Sequence, residues 1–497
     1  MFSAPSIDRE RTTQFDLQKR VNWPTLLLGF LACLLLADSI YAALVLPQAP
    51  GRMAEPSADL IARLPFWSFV VALPLPVPRQ SYALALTLFV TCVVKFAAYA
   101  LAIYVAWTQP CSMRRLVIVV GAALLFFVLA VVALPNINRD IYNYILSGRV
   151  AAVYGANPYE SAPNRFPDDA LYRYASARYT DYAGDNKMPV WMLLNVALAR
   201  LGGDNPVANL LLYRSVFLLF NIGNLALIAW ILHIIRPQLL LAGLVIYAWN
   251  PIIAVYGQSK VDTVMVFFLL LAVLALLQEK RRLAFVVLGV SALVKLISLP
   301  LLAVYWLYTM RSRGARELAI STALLALTAL AFYAPFWYGP ELLRMQLRLL
   351  GDVANAGPSL ARMLVYTGFM VAVLWVGLSR YGRADTMLSG WTLVMVLFAL
   401  FVTKLGFSWY LMTMIAVASL AVERRFTPIV VLLSFVSFLL NALDTASNEV
   451  VQLPVLFTAP RFSMQLLFIG VSVLGLAVLE IAQRARQRRV EYSVERG

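Results

Sequence analysis

The chain has 497 residues, of which 62% are hydrophobic and only 13% are charged, and its formal net charge is +16. This small number of charged groups cannot cover the surface of a water-soluble globule of this size. The composition therefore indicates a protein that lies mostly within a lipid bilayer. The basic excess does not indicate a nucleic-acid partner, because the positive residues lie in short connectors between apolar segments.

Cysteine and histidine usage excludes two further classes of protein. Three cysteines and one histidine cannot supply a disulfide framework or an ordinary zinc site. Glycine-rich phosphate loops, dinucleotide-binding fingerprints and metalloprotease motifs are also missing from the sequence. We therefore expect no cofactor and no bound metal, with a requirement for a divalent cation left open.

Apolar stretches long enough to cross a bilayer recur along the chain. A crossing takes about 20 helical residues, and backbone groups in lipid must bond within their own segment, so the stretches are predicted to be helices. The sequence predicts an all-α integral membrane protein of about 13–14 transmembrane helices. The predicted spans are 23–46, 81–107, 115–134, 206–235, 239–256, 260–278, 283–294, 297–310, 316–338, 360–380, 386–403, 407–421, 427–441 and 461–484.

The distribution of lysine and arginine predicts the topology. Basic clusters favour the cytoplasmic side, which places the segments 1–22 and 485–497 inside, with a transmembrane domain over 23–484 between them. One continuous helix from 283 to 310 would place the basic cluster of Arg311, Arg313 and Arg316 on the outer side of the membrane. A helical hairpin turning at Lys295–Pro300 avoids this and puts Lys295 near the outer surface. The polar segments 47–79, 135–205, 339–359 and 442–460 are then external.

The external loop 135–205 is the largest of these segments. A structureless connection of this length is uncommon inside a compact domain, so the loop is expected to carry function. Its apolar and aromatic runs predict interfacial helices over 168–182 and 188–201, with Pro189 in the first turn of the second.

Asp140 stands where the third span gives way to this loop, and it is the candidate catalytic residue. A carboxylate at the mouth of a membrane helix can act as a general base for an acceptor hydroxyl. Transfer of a sugar from a phospholipid carrier with inversion needs such a base, and cations to hold the phosphate, but no covalent nucleophile. The alternative is that Asp140 only caps a helix that begins at Ile141.

Lys260, Asp262 and Lys295 are predicted to lie at the external ends of their spans. Lys295, at the tip of a short hairpin, is placed to stabilise a departing phosphate, although it could also extend towards lipid headgroups. Lys260 and Asp262 are predicted to face one cavity, as ligands of phosphate and substrate respectively. The alternative for these two residues is a buried ion pair with each other that fixes two helices.

Two arginines and two aromatic residues complete the candidates. Arg149 is a candidate phosphate ligand, with a solvated interfacial position as the alternative, and Arg362 is one of several arginines near the 339–359 loop that can pair with phosphate. Trp409 and Tyr410 sit at a span end, where they can stack on sugar or simply belong to an aromatic belt.

Several short motifs follow one another in a characteristic order. They are Asp140-Ile-Tyr, Gly148-Arg149, Asn157-Pro158-Tyr159, Asn250-Pro251, Gly257-Gln258-Ser259-Lys260-Val261-Asp262, Leu293-Val294-Lys295-Leu296 and Ser408-Trp409-Tyr410. In this order the chain resembles the GT-C superfamily of glycosyltransferases, most closely the bacterial polyprenyl-phosphomannose-dependent mannosyltransferases. Many relatives have two adjacent acids in the first loop, where this chain has Arg139-Asp140, and this difference puts a metal-assisted mechanism in doubt.

This resemblance implies a function and further site residues. It implies that Asp140 is the base, that Asn157, Tyr159 and Gln258 contact substrate, and that the donor is a polyprenyl-phosphate sugar. We expect the chain to move a hexose, mannose being favoured, to a glycan or glycolipid acceptor outside the cytoplasmic membrane. The alternatives are a secondary transporter or lipid-linked-glycan flippase, which should show inverted repeats, and a catalytically silent assembly protein.

Overall fold

The structure is a computed structural model that describes residues 22–49, 57–78, 80–135, 140–175, 177–183, 187–342, 344–345, 360–379, 384–402 and 407–449. Within these ranges every regular element is a helix, which confirms the all-α prediction. The predicted span 461–484 and the two basic terminal segments lie outside or almost wholly outside the described residues.

The α-helices are numbered in chain order. They are α1 (Trp23–Ile40), α2 (Ser57–Ala62), α3 (Pro65–Ala72), α4 (Ser81–Thr108), α5 (Met113–Val132), α6 (Asp140–Ala152), α7 (Ala177–Thr180), α8 (Pro189–Gly202), α9 (Pro206–Ile235), α10 (Leu240–Ala248), α11 (Pro251–Tyr256), α12 (Asp262–Leu277), α13 (Arg281–Val294), α14 (Leu299–Arg313), α15 (Ala315–Tyr333), α16 (Leu360–Leu378), α17 (Ala384–Phe401), α18 (Met412–Ala421) and α19 (Thr427–Glu449).

Five of the described helical segments are long and apolar enough to cross a membrane. They are Trp23–Gln48, Ala83–Thr108, Met113–Val132, Pro206–Ile235 and Ala315–Phe336. Shorter apolar helices occupy most of the other predicted spans. The chain is therefore a polytopic membrane protein, and its helix bounds follow the predicted spans closely where the structure describes them.

The predicted span 239–256 is divided in two by Asn250. The Asn250 side chain caps α11 by accepting a hydrogen bond from the Ile252 backbone N–H at 3.0 Å. Its amide nitrogen donates to the hydroxyls of Tyr99 and Ser434, at 3.1 and 3.2 Å. This cap, followed by Pro251, ends α10 and starts α11 at a new angle, so the chain reaches the Gly257–Asp262 segment from a short helix.

Helices α13 and α14 form the predicted hairpin. Between them Lys295 has an extended backbone, with φ −160° and ψ 138°. The Tyr305 hydroxyl of α14 donates to the Arg281 carbonyl at the start of α13, over 3.3 Å, and the Phe285 and Tyr305 rings are 5.9 Å apart. The chain therefore reverses at Lys295, and the basic residues that flank the hairpin lie together at the opposite end.

Within the 135–205 loop, α8 confirms the predicted helix over 188–201, and it packs against α6. The Asn195 side chain donates to the Tyr144 carbonyl at 2.6 Å, and an added Cβ at Gly148 would be 2.6 Å from the Asn195 carbonyl oxygen. The predicted helix over 168–182 is wrong. Asp169 forms a turn there, its carboxylate accepting from the Leu171 N–H at 2.8 Å, and only short helical turns follow.

Candidate active site

Charged and aromatic side chains from four parts of the chain meet at one end of the helices. Asp140 begins α6, Lys260 and Asp262 adjoin the start of α12, Lys295 joins α13 to α14, and Trp409-Tyr410 precede α18. Because α5 and α13 begin at basic connectors and run towards this cluster, it lies at the end opposite those connectors.

Asp140 and Lys260 form the first ion pair of the cluster. The Lys260 ammonium donates to Oδ2 of Asp140 and lies 3.6 Å from the centroid of the Trp409 ring. The Lys260 side chain is 1% exposed, whereas 27% of the Asp140 side chain is exposed. The lysine is therefore fixed between a carboxylate and an aromatic face, and the carboxylate is the member that a substrate can reach.

Lys295 and Asp262 form the second ion pair. The Lys295 ammonium donates to both carboxylate oxygens, at 2.8 and 2.7 Å, and lies 4.5 Å from the Tyr410 ring centroid. Asp262 is buried, with 1% of its side chain exposed, and Lys295 keeps 13%. Trp409 thus contacts Lys260, and Tyr410 contacts Lys295. Both rings therefore pack against charged residues of the cluster, which an aromatic belt would not require.

The alternative of an ion pair between Lys260 and Asp262 is wrong. Lys260 precedes α12 and its carbonyl accepts from the Thr263 N–H at 3.2 Å, whereas Asp262 is the first residue of the helix. The two side chains consequently reach different neighbours, one on α6 and one on the hairpin turn. Asp262 is bound by Lys295 and so holds that lysine in place, and its predicted contact with substrate stays a prediction.

Lys187 is a third cation near the cluster, and it is not among the site residues predicted from the sequence. Its ammonium lies 5.2 Å from the Tyr144 ring centroid, and the next residue, Met188, donates its N–H to the Val294 carbonyl beside Lys295 at 3.4 Å. A lysine directly before an interfacial helix was the available signal. Among the residues that the structure describes, the cluster holds three lysines and two aspartates, and this surplus of positive charge suits an anionic ligand.

The charge of these lysines acts on Asp140. Burial alone would raise the pKa of its carboxyl group, but Lys260, with smaller contributions from Lys187 and Lys295, outweighs burial and lowers the pKa below its ordinary value. Asp140 is therefore a carboxylate throughout the neutral range, as a general base must be before it accepts a proton.

Arg149 holds the 135–205 loop together through its hydrogen bonds, and its predicted contact with phosphate stays a prediction. Its Nε donates to both oxygens of Asp169 at 3.0 and 2.8 Å, and its two terminal nitrogens donate to the Gly203 carbonyl at 2.7 Å and to Asp204 at 2.6 Å. The side chain is only 3% exposed, so the alternative of a solvated interfacial position is wrong. All three nitrogens of the guanidinium group are committed to these partners.

Asn157 and Tyr159 both form hydrogen bonds within the protein, and the substrate contacts that the resemblance implies for them stay predictions. The Asn157 amide donates to the Phe336 carbonyl at 2.7 Å and accepts from the Tyr159 N–H at 3.0 Å. The Tyr159 hydroxyl donates to the Lys187 carbonyl at 2.9 Å, and the side chain is buried. This turn therefore positions the segment that carries Lys187.

Gln258 differs from the other predicted substrate ligands. Its side chain is 1% exposed, and within the described part of the chain neither amide atom has a hydrogen-bond partner.

The Arg362 side chain lies outside the described residues. Within the ranges given above, no group of three His, Cys, Asp or Glu residues is close enough to hold a metal ion.

The helices and this cluster define a polytopic membrane protein with a charged site at one membrane face. The family described as alpha-(1->6)-mannopyranosyltransferase, N-terminal domain, matches residues 50–311, more than half of the chain. The chain belongs to this family and is a mannosyltransferase, which favours the glycosyltransferase hypothesis over the transporter and flippase. No match was found among curated proteins, and none was found among solved structures.

Proposed function

We propose that the protein transfers mannose from a polyprenyl-phosphate carrier to a glycan or glycolipid acceptor on the extracytoplasmic side of the cell membrane. The observation that carries the proposal is the cluster of two aspartates and three lysines at the membrane end opposite the basic connectors. A membrane-embedded donor with a phosphate group matches a site that has surplus positive charge at the end of lipid-spanning helices.

The two aspartates have different roles in this proposal. Asp140 is the general base, because 27% of its side chain is exposed and its lowered pKa keeps it ionised. Asp262 is a positioning residue, since it is buried and binds Lys295 through both oxygens. An aspartate that is saturated by a lysine in this way is a poor candidate for accepting a proton.

The chemical step is a single displacement at the anomeric carbon. The acceptor hydroxyl gives its proton to Asp140 while its oxygen forms a bond to the anomeric carbon. The bond from that carbon to the phosphate oxygen breaks, and polyprenyl phosphate leaves with the electron pair. Lys295, Lys260 and Lys187 stabilise the charge that develops on the leaving phosphate.

The stereochemistry and linkage follow from the family and from this mechanism. The description of the family names an α-(1→6)-mannopyranosyl transfer, so the acceptor nucleophile is a sugar 6-hydroxyl, and we take the acceptor sugar to be mannose. One displacement inverts the anomeric centre, and an α product then requires a β-configured donor. Two successive displacements through a covalent intermediate would retain configuration and would need a nucleophile beside the anomeric carbon.

The donor class can be tested with the purified full-length protein in liposomes. Polyprenyl-phosphate-linked mannose and a soluble nucleotide-activated mannose would be supplied in parallel, with an α-(1→6)-linked mannooligosaccharide as acceptor. We expect transfer from the lipid donor and none from the nucleotide donor. Transfer from the nucleotide donor alone would refute the proposed donor, and a β-linked product from a β-configured lipid donor would refute the single displacement.

The side of the membrane needs a separate measurement. Sealed vesicles of opposite orientation would receive a membrane-impermeant acceptor, with the lipid donor present in both leaflets. We expect product only where the cluster end of the helices faces the added acceptor, which is the outer face of the cell membrane. Product only in the inverted vesicles would place the site on the cytoplasmic side.

A further inference from the structure

A cavity of about 120 Å³ lies beside the ion-pair cluster. The ends of α1, α5, α6, α9 and α11 surround it at the same end of the helices as Asp140 and Lys260. Ile141, the residue after Asp140, and Ser259, the residue before Lys260, both line its wall. The cavity is therefore next to the candidate base and is separate from the lysines that face Asp262 and the hairpin turn.

The wall of the cavity carries both apolar and polar residues. Phe126 and Leu210 are among its apolar lining residues, and Gln258 and Arg214 are among its polar ones. Arg214 is already engaged, since it donates to the carbonyls of Val131 and Ala133 at 3.0 and 2.6 Å. A ligand with one apolar face and several hydroxyl groups would match such a wall, and a pyranose ring has this character.

Gln258 supplies the most specific indication of a ligand. Its amide is buried, and neither the oxygen nor the nitrogen has a hydrogen-bond partner among the described residues. Leaving both atoms unpaired costs stability, so this arrangement is expected only where something else satisfies them. One amide can donate to one hydroxyl and accept from its neighbour, which is a pattern that two adjacent hydroxyls of a sugar complement.

Residues of the 47–79 and 135–205 segments also line the cavity. Tyr174 and Tyr142, which both line it, stack with their ring centroids 5.3 Å apart. The Tyr174 hydroxyl donates to Asp59 of α2, and Arg173 donates to the same carboxylate at 2.8 Å. The segment 47–79, whose role the sequence leaves open, thus contributes α2 to the wall of this cavity.

We propose that this cavity is the acceptor subsite and that Gln258 binds adjacent hydroxyls of the acceptor mannose. The inference rests on the proposed function, because it assigns the second substrate of the same reaction. The donor phosphate is bound by the lysines on one side of Asp140, and the acceptor ring enters from the other side. Its 6-hydroxyl then reaches the carboxylate that removes the proton.

Gln258→Met tests the inference by removing the amide while keeping an unbranched side chain of similar length. We expect the KM for an α-(1→6)-linked mannooligosaccharide to rise about tenfold or more, equivalent to about 1.4 kcal/mol. The KM for the lipid donor should stay within about twofold of wild type. The midpoint of thermal unfolding should be unchanged or higher, because the substitution removes a buried amide without partners.

Thr413→Val is the matched control. The Thr413 hydroxyl is also buried without a partner in the described part of the chain, but it lies on α18 and does not line the cavity. We expect this variant to keep both KM values of the wild type. If Gln258→Met instead lowers the unfolding midpoint and raises both KM values together, Gln258 is structural and the inference is wrong.

A binding measurement separates this inference from the proposed function. Titration of the purified full-length protein with α-(1→6)-linked mannobiose by calorimetry requires no turnover and no lipid donor. We expect binding to wild type and to Thr413→Val, and binding at least about tenfold weaker to Gln258→Met. Equal binding to all three proteins, or none to wild type, overturns the acceptor subsite. Binding with the expected pattern but no transfer from a lipid donor would overturn only the donor assignment.

Discussion

Removing one member of the buried Lys295–Asp262 pair should destabilise the protein strongly, whereas removing both should not. The pair has two hydrogen bonds, at 2.7 and 2.8 Å, and the side chains are only 13% and 1% exposed. A charge left alone in such a place costs about 3–5 kcal/mol. Lys295→Met and Asp262→Asn should each lower the free energy of unfolding by about that amount.

The double variant Lys295→Met/Asp262→Asn leaves no unpaired charge from this pair. We expect it to cost much less than the two single changes added together, with a coupling energy of at least about 2 kcal/mol. The free energies can be measured by reversible unfolding in mixed detergent micelles, for the wild type and the three variants. A matched cycle on the exposed Arg282–Glu317 pair should give a far smaller coupling.

The result that would refute this reasoning is additivity. If the costs of the two single variants sum to that of the double variant within about 0.5 kcal/mol, the two side chains do not form the buried pair in the protein. A single variant as stable as wild type would refute it as well, since no buried charge would then have been left alone.

Other predictions follow from the same geometry. On the acid side, the rate of transfer should fall as the pH drops through the lowered pKa of Asp140. Lys260→Met removes the lysine that lowers this pKa most, so the pKa rises. The acid limb of the pH–rate profile should therefore move to higher pH in this variant. A lysine in place of Arg149 cannot bind Asp169, Gly203 and Asp204 together, so Arg149→Lys should lower the free energy of unfolding by at least about 2 kcal/mol. The measurement is unfolding in mixed micelles, and a variant as stable as wild type would contradict the prediction. Gly148→Ala places a Cβ 2.6 Å from a carbonyl oxygen of α8 and should cost about 1–3 kcal/mol, whereas Gly121→Ala, with nothing within 4 Å, should not lower the unfolding midpoint.

Much of the helix arrangement could be predicted from the sequence, because lipid imposes a length on each apolar segment and basic residues mark one side. The hairpin at Lys295 is an example, since the basic residues flanking it required the chain to reverse. Local hydrogen bonds were harder to foresee. The break at Asn250 depends on hydroxyls of Tyr99 and Ser434, which are distant in sequence, and the turn at Asp169 depends on its long-range contact with Arg149.

For the candidate site, the sequence indicated which residues meet but not how they pair. Asp140, Lys260, Asp262 and Lys295 all lie in one cluster, as their predicted positions at external span ends required. Their partners are set by the packing of α6 and the hairpin against the start of α12, which sequence spacing does not encode. For the same reason Lys187 was missed, since its place beside Lys295 depends on a backbone contact between the loop and α13.

The rate of a single turnover with preloaded lipid donor tests the central claim most directly, comparing wild type, Asp140→Asn and Asp168→Asn. Asp168 is an exposed aspartate of the same 135–205 loop and belongs to neither ion pair of the cluster, so its variant is a matched change of charge. The account predicts that Asp140→Asn slows transfer by about 100-fold or more while Asp168→Asn matches wild type. Equal rates for Asp140→Asn and wild type, with both proteins folded and present at the same level, would contradict the role of Asp140 as the base.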